Sequence, residues 1–249
     1  MKLVADLHCH TVASGDAYST VKEMVQGAAD KGLELIAITD HGPSMPGGPH
    51  LYHFGNFAVI PNQMFGVQVL KGVESNIIDH DGNIDMPERY LKKLDIVLAG
   101  FHNYCYPGGS IEENTRAMIN AMKHPYIDII VHPGNPDYPI NIEQVVKAAK
   151  DLQVFIEINN SSFSVSRRGS EKNCYEIAKM VKKHNVMISV GSDAHIFLDV
   201  GNFVNALEVI KNVGLAKKNV LNTSVSSIKQ YLARKTNTQA SKQKLFPTN

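Results

Sequence analysis

The sequence predicts a single α/β domain in which seven βα units form a TIM-like barrel. Its 249 residues, 43% of them hydrophobic, suit one barrel domain. Short apolar runs alternate with amphipathic segments, and runs such as residues 127–131 are apolar throughout, as in parallel strands buried on both faces. Metal-binding residue types follow almost every apolar run. This pattern favours a barrel, whose strand ends meet at one mouth, over an open sheet with one crevice.

Each predicted strand is a short apolar run, and each predicted helix is an amphipathic segment between two such runs. The strands are residues 2–7, 35–39, 67–73, 95–100, 127–131, 154–158 and 187–190. The helices are residues 19–31, 111–123, 142–151 and 171–183, with a last one ending near residue 211. Ser19 suits the N-cap of the first helix, and Gly32 is a stop signal. A loop rich in proline and glycine follows the second strand and carries His50 and His53.

Composition sets the expected domain boundaries, location and partners. We expect one domain over residues 1–235 and a polar, disordered tail over residues 236–249. A net charge of +1 gives no reason to expect binding to nucleic acid. No apolar stretch approaches the ~20 residues that span a bilayer, so no membrane partner is expected. Three cysteines without a CxxC pair indicate reduced thiols in a cytoplasmic protein, whose oligomeric state the sequence leaves open.

Histidines and carboxylates at the strand ends form a candidate metal site. His8 and His10 close the first strand and project to the same side, as do Asp193 and His195 after the last. The strands between them end in four further candidates: His41, Glu74, His102 and His132. This set exceeds the four ligands of one tetrahedral zinc ion. It therefore indicates two or three metal ions, with Glu74 as a bridging carboxylate.

Six motifs, in chain order, resemble those of the polymerase-and-histidinol-phosphatase (PHP) superfamily. They are Asp-Leu-His-Cys-His-Thr (6–11), Thr-Asp-His-Gly (39–42), Gly-Val-Glu (72–74), Gly-Phe-His (100–102), His-Pro-Gly-Asn-Pro (132–136) and Gly-Ser-Asp-Ala-His (191–195). The segment Glu-Ile-Asn-Asn-Ser-Ser-Phe (157–163) is similar to that of the YcdX-type phosphatases in this superfamily. The resemblance covers residues 1 to about 230. It implies a distorted (βα)7 barrel that holds three metal ions, usually zinc.

The resemblance also implies how the ligands divide among the three metals. The sets are His8, His10, Glu74 and Asp193 for one metal; Glu74, His102 and His132 for a second; and His41, His195 and one loop residue for the third. The sequence departs from the superfamily's pattern here, because Asp16 stands where that pattern has histidine; Asp16 is therefore the candidate for the loop ligand, or else an aspartate of the surface. A carboxylate oxygen is a harder ligand, so the third site would shift from strict zinc preference towards manganese, iron or magnesium.

The charge of such a site predicts its reaction. Three divalent cations with Asp16, Glu74 and Asp193 leave a net charge of about +3, which suits a phosphate ester. We therefore expect a metal-dependent phosphoesterase, in which a metal-bound hydroxide attacks the phosphorus of a small monoester in line. Arg167 and Arg168 are candidates for binding the phosphate, because a guanidinium group matches it bidentately; otherwise they form an exposed basic loop.

The residues around the candidate ligands are open to more than one interpretation. Asp40 and Asp6 could each accept the spare N–H of a ligating imidazole, the usual role of outer residues at metal sites. Asp40 fits a loop or helix cap nearly as well. His50 and His53 belong to a lid or substrate wall, or else to a solvated loop.

Three other functions also remain open. A phosphodiesterase or nuclease of the same superfamily would use the same ligands, although the sequence has no basic groove. C–N bond hydrolysis of the amidohydrolase kind usually needs a ligating lysine, and Lys71 lies short of a strand end. A non-catalytic, metal-dependent sensor would keep the site without turnover.

Overall fold

The computed structural model describes residues 1–164 and 167–234, and the predicted tail lies outside these residues. The strands are β1 (Ala5–Asp6), β2 (Leu35–Ile38), β3 (Gln63–Met64), β4 (Val67–Asn76), β5 (Ile96–Gly100), β6 (Ile129–Ile130), β7 (Phe155–Asn159) and β8 (Ile188–Gly191). The helices are α1 (Val21–Asp30), α2 (Leu51–Gly55), α3 (Glu88–Leu91), α4 (Ile111–Lys123), α5 (Ile142–Leu152), α6 (Ser170–His184) and α7 (Val204–Val213), and residues 225–234 are helical as well.

The seven parallel strands confirm the predicted α/β barrel. They follow one another in the order β1-β2-β4-β5-β6-β7-β8, with helices between most of them, and β3 adds an antiparallel edge to β4. Each predicted strand overlaps an observed one. The loop after β2 is more ordered than predicted, because it contains α2 and β3. No helix within the described ranges has the length and apolar composition needed to cross a bilayer.

Strand β4 runs three residues past its predicted end, through Glu74 to Asn76. Its polar end breaks the apolar pattern, yet Asn76 still pairs with Gly100 of β5. The carboxylate of Asp85 explains this, since it accepts hydrogen bonds from the Ser75 hydroxyl at 2.8 Å and from the Asn76 backbone N–H at 2.9 Å. Glu74 therefore lies within the hydrogen-bonded ladder and not in the loop beyond it.

The barrel closes differently at its two ends, which makes it distorted. At the carboxyl ends of the strands, the backbones after β1 and β8 meet directly: His10 N–H donates to Ala194 O at 2.9 Å and Asp193 N–H to His8 O at 3.0 Å. At the opposite end, Asn222 lies between the two strands. Its amide donates to the carbonyls of Ala5 and Val190 and accepts from Val190 N–H, over 2.8–3.0 Å.

Two apolar layers surround the strands. Alternate strand residues such as Leu35 and Leu98 fill the barrel interior, which Leu221 and Ile228 cover at the end away from the site. Their neighbours, such as Ile36 and Val97, pack with residues of the surrounding helices. The three cysteines are free thiols in the described part of the chain.

The amide of Asn222 should be essential for stability. Asn222→Ala would leave three buried backbone groups of β1 and β8 without their partner, which we expect to cost about 2–4 kcal/mol. Urea denaturation of the full chain measures the loss. Asn212→Ala is the matched control, because the Asn212 amide is exposed and donates to the hydroxyl of Tyr175. If Asn222→Ala lowers the free energy of unfolding as little as Asn212→Ala does, the hydrogen bonds of the Asn222 amide do not hold the barrel closed.

Candidate metal centre

Eight of the predicted ligands meet at the mouth formed by the carboxyl ends of the strands. His8 and His10 follow β1, His41 pairs with Glu74 of β4 beyond the end of β2, and the rest follow β5, β6 and β8. Seven of the eight side chains are buried, and the eighth, His195, is about one-third exposed: His8, His10, His41, Glu74, His102, His132, Asp193 and His195. Cys9, between the first two histidines, is buried in the layer under the helices, so the alternation expected for this segment is confirmed.

Glu74 lies at the centre of the cluster. Its two oxygens lie within 3.4 Å of nitrogens of five imidazoles, those of His8, His10, His41, His102 and His132. Burial raises the pKa of this carboxyl, but the neighbouring histidines, His102 foremost, hold that pKa well below its ordinary value. The group is therefore an anion in a fully buried position, where only cations can compensate it.

Asp193 is the second buried carboxylate of the cluster. Its Oδ1 lies 3.5 Å from His8 Nε2 and 3.2 Å from His10 Nε2. Its Oδ2 accepts hydrogen bonds from Arg167 Nη2 at 2.8 Å and from Asn159 Nδ2 at 3.2 Å. Burial raises its pKa, but the charges of His8 and Arg167 bring the pKa of Asp193 well below its ordinary value. One oxygen therefore faces two imidazoles and the other is held in place.

Hydrogen bonds fix which nitrogen of His10 is free. Ser14 Oγ donates its only proton to the Asp40 carboxylate at 2.9 Å, so it accepts from His10 Nδ1–H at 3.1 Å. Burial, together with the charges of His41 and His195, lowers the pKa of His10 to about 3. His10 is thus neutral at pH 7, with a lone pair on Nε2. This is the form of histidine that binds metals.

A hydrogen bond at Nδ1 also orients His8, and its partner is Glu157. Its Nδ1 lies 2.8 Å from Glu157 Oε1, while Glu157 Oε2 accepts from His132 N–H and from Asn159 Nδ2. Burial lowers the pKa of His8, but the charges of Glu157, Asp193 and Glu74 raise it well above the ordinary value, so the imidazole carries a positive charge when no metal is bound. Its Nε2 lies 3.1 Å from Nε2 of His10, so a metal ion that displaced the Nε2 proton could be bound by both nitrogens.

Several buried polar atoms at the centre have no hydrogen-bond partner among the described residues. They include Nδ1 of His41, Oε2 of Glu74 and Oδ1 of Asp193. Unpaired buried polar atoms are destabilising, and metal ions bound at this centre would give all three atoms a partner. The residues present therefore fit divalent metal ions.

Three groups of donors are close enough to hold one ion each, since the ligand atoms within a group lie within 4.8 Å of one another. The groups are His8, His10 and Asp193; His10, His41 and His195; and His41, Glu74 and His102. The grouping differs from that implied by the family resemblance, because His10 and His41 each belong to two groups. His132 still lies 2.8 Å from Glu74 Oε1.

Asp16 lies beside the outermost of these groups. Its Oδ2 is 3.5 Å from His41 Nε2 and 3.4 Å from His195 Nε2. Burial raises the pKa of Asp16, but hydrogen bonds from His195 and His41 lower it below the ordinary value. The side chain is 43% exposed. It therefore occupies the place of the expected loop ligand, at the rim of the cluster.

Strained backbone aims two of the candidate ligands. His132 has φ 33° and Asp193 has φ 57°. Both values lie in the left-handed region of backbone conformation, which residues other than glycine rarely adopt. The Glu157 carboxylate stabilises the first of these by accepting His132 N–H at 2.9 Å. Gly191 makes room for this carboxylate, because a Cβ there would come within 2.1 Å of Glu157 Oε1.

The outer residues differ from those that the sequence suggested. Asp6 accepts backbone N–H groups, those of Ser192 and Gly201, instead of an imidazole. The proposal for Asp6 is therefore wrong, because the segment after β8 brings these two N–H groups to its carboxylate. Glu157 has the role instead. An acidic residue inside an otherwise apolar strand was the signal in the sequence that could have identified it.

An open cavity of about 440 Å³ lies above the cluster. His41, His102, Asp193 and His195 line it together with polar residues of the loops, among them Asn103, Asn135, Ser161, Asp137 and Asp199. Arg167 also lines it, is 14% exposed and has an Nη1 without a partner among the described residues. Arg168 lines a separate cavity beside α6 and α7. Of the two predicted arginines, the structure brings only Arg167 to the cluster.

Solved structures with a similar fold include one that contains zinc. The histidinol phosphate phosphatase of Lactococcus lactis subsp. lactis, complexed with zinc, L-histidinol and phosphate, aligns with a TM-score of 0.57. The alignment covers 85% of this chain and 94% of that one at 16% identity, so it shows a shared fold.

Sequence relatives are much more similar. A probable phosphatase of Thermoanaerobacter sp. (strain X514) is 59% identical over 236 residues, which are 94% of this chain and 96% of the relative. A probable phosphatase of Caldanaerobacter subterraneus subsp. tengcongensis is 58% identical over 236 residues, covering 94% of this chain and 93% of the relative. A family model described as PHP domain matches residues 6–222. The chain therefore belongs to the PHP domain family, as its motifs predicted.

Proposed function

We propose that this chain is a phosphatase that hydrolyses small phosphate monoesters at a centre of three divalent metal ions. The observation that carries the proposal is the set of buried, unpaired donor atoms around Glu74, directly below an open cavity that contains a cationic side chain. The relatives named probable phosphatases support the same reaction.

The metals would be held by the nine predicted ligands: His8, His10, Asp16, His41, Glu74, His102, His132, Asp193 and His195. Neutral imidazoles with a few carboxylates suit zinc, and the Lactococcus neighbour contains zinc. The outer position beside Asp16 would accept manganese, iron or magnesium as well, because a carboxylate oxygen is a hard ligand. When bound, such ions neutralise the charge of a phosphate group and acidify the attacking water.

The chain itself would bind and orient the phosphate. Arg167 can donate from Nη1 to a phosphate oxygen, while its Nη2 remains on Asp193. Asn103, Asn135 and Ser161 line the same cavity and offer neutral donors. A protein nucleophile is not needed. Cys105 follows the candidate ligand His102 closely in the sequence. Burial and the charges of Asp85 and Glu74 raise the pKa of its thiol to about 11, so the thiol remains protonated.

The rim of the cavity favours substrates with one phosphate. The exposed carboxylates of Asp137 and Asp199 lie at this rim and would repel additional negative charge on the leaving group. Nucleic acids and other polyanions are disfavoured for this reason. The rim thus supports a small monoesterase over a nuclease that uses the same ligands.

Turnover with model esters separates the proposed function from its alternatives. We expect release of phosphate from p-nitrophenyl phosphate, and much slower hydrolysis of bis-p-nitrophenyl phosphate. Removal of metal by a chelator should abolish the activity, and zinc or manganese should restore it. Faster cleavage of the diester would favour the phosphodiesterase. Metal retained through purification, with no phosphate released from a broad panel of esters, would favour a sensor.

Glu74→Gln should reduce metal content and activity together. The amide keeps the size of the side chain but removes the negative charge that faces five imidazoles. We expect loss of at least one bound ion and a fall in kcat/KM of more than about 100-fold, beyond the effect typical of an outer residue. Elemental analysis and steady-state kinetics measure the two effects. Glu143→Gln, in an exposed ion pair with Lys147 on α5, is the control. Full metal content and a normal rate in Glu74→Gln would rule out a shared centre.

Substitution of Arg167 should reduce kcat/KM much more than substitution of its neighbour Arg168. Arg167→Met removes a charge-assisted hydrogen bond to phosphate, so we expect kcat/KM to fall about 10- to 100-fold. Arg168→Met alters a different cavity and should leave kcat/KM within about twofold, as is usual for surface substitutions. Kinetics with p-nitrophenyl phosphate compare them. Equal effects of the two variants, or a larger effect at Arg168, would contradict the assigned role of Arg167.

A further inference from the structure

The loop after β2 brings a seventh histidine to the edge of the candidate centre. His53 lies in α2, and its Nε2 is 3.0 Å from Oδ2 of the buried Asp40. The rings of Phe54 and Phe57 pack edge-on against the imidazole at centroid distances of 5.2 and 4.8 Å. The side chain is only 25% exposed. His53 is therefore held in place by packing and by a hydrogen bond, unlike a residue of a solvated loop.

Asp40 connects His53 with the 3-10 turn that follows β1. It accepts the backbone N–H of Thr11 at 2.6 Å, the Thr11 hydroxyl at 2.9 Å and the Ser14 hydroxyl at 2.9 Å. Four donors thus surround this carboxylate, and His53 is the only one of them that does not come from residues 11–14. A buried carboxylate loses substantial stability when one of its donors is removed.

Ser14 connects Asp40 with two candidate ligands by hydrogen bonds. Its hydroxyl donates to Asp40, and its oxygen accepts from His10 Nδ1–H and from the backbone N–H of His41, each at 3.1 Å. Because Ser14 has one proton, its bond to Asp40 decides that His10 is protonated on Nδ1. The orientation of the Nε2 lone pair of His10 therefore depends on Asp40.

We propose that His53 is a positioning residue of the metal centre, which acts through Asp40 and Ser14 to hold His10 in its metal-binding orientation. The inference rests on the proposed function, since it takes His10 as a metal ligand. It adds one side chain of α2, that of His53, to the residues that support metal binding. Loss of the hydrogen bond, with the packing kept, should weaken metal binding without unfolding the chain.

Two substitutions separate the hydrogen bond of His53 from its packing. His53→Phe keeps an aromatic ring against Phe54 and Phe57 but has no donor for Asp40. His53→Gln gives up the ring and offers an amide N–H close to the place of Nε2. The control is His50→Ala, because His50 lies in the same loop and accepts the Tyr52 N–H at the start of α2 without touching Asp40.

Metal affinity of the full chain is the measurement. After removal of metals, each protein is titrated with Zn²⁺, and the absorption spectrum of the Co²⁺-loaded protein reports the ligand geometry. For His53→Phe we expect about a tenfold rise in the dissociation constant of an ion, the lower end of the effect of outer residues, and an altered Co²⁺ spectrum. His53→Gln and His50→Ala should bind both metals as the wild type does.

Each other outcome is decisive. Wild-type affinity and an unchanged Co²⁺ spectrum in His53→Phe would overturn the inference, as would equal losses in His53→Phe and His53→Gln, which would point to packing alone. Should His53→Phe not fold, impaired metal binding by a folded His53→Gln would overturn it, and wild-type binding by that variant would support it. A wild-type chain that binds neither metal would refute the proposed function itself, and the inference with it.

Discussion

The buried carboxylate of Glu74 is the interaction on which the rest of the mouth depends. An ionised group that is fully removed from water is tolerated only with close compensation, and here five imidazoles face its two oxygens. Its position is fixed by the backbone: Glu74 pairs with Leu98 of β5 on one side and with His41 on the other. The five histidines that face Glu74 come from segments beyond the strand ends. The sheet therefore fixes the position of the carboxylate, and the loops bring the imidazoles to it.

The distortion of the barrel follows from the same requirement. His8 and Asp193 must come together, and the direct backbone contact of the segments after β1 and β8 achieves this. The opposite ends of these strands are then too far apart for a ladder. The amide of Asn222 fills the gap and satisfies the free backbone groups of Ala5 and Val190. Asn222, at the end of the barrel away from the site, thus supplies the hydrogen bonds that β1 and β8 do not make with each other.

Much of this arrangement could be predicted from the sequence, because parallel strands all end at one mouth. The apolar runs located the strands, and the residues that end them located eight members of the cluster. The interpretation of Asp6 was wrong because the backbone N–H groups that its carboxylate accepts, those of Ser192 and Gly201, are distant in the sequence. Arg167 and Arg168 are adjacent in a segment without helical or strand periodicity, so the sequence could not show which of the two side chains points to the site. Glu157 was missed because its partners, His8 and His132, are distant in sequence.

The difference in exposure across the cluster bears on how its metals would behave. The donors around Glu74 are buried, whereas Asp16 is 43% exposed and His195 31% exposed. An ion held by these two would be the one in contact with solvent and with the phosphate of a substrate in the cavity. It would compete with the inner positions for His10 and His41, since each of these histidines belongs to two donor groups and His10 has only Nε2 free for a metal. Occupation of the outer position would then depend on the ions already bound inside. The carboxylate of Asp16, as a harder ligand than imidazole, would widen the choice of metal where exchange is easiest, while the inner imidazole-rich positions would keep the preference for zinc.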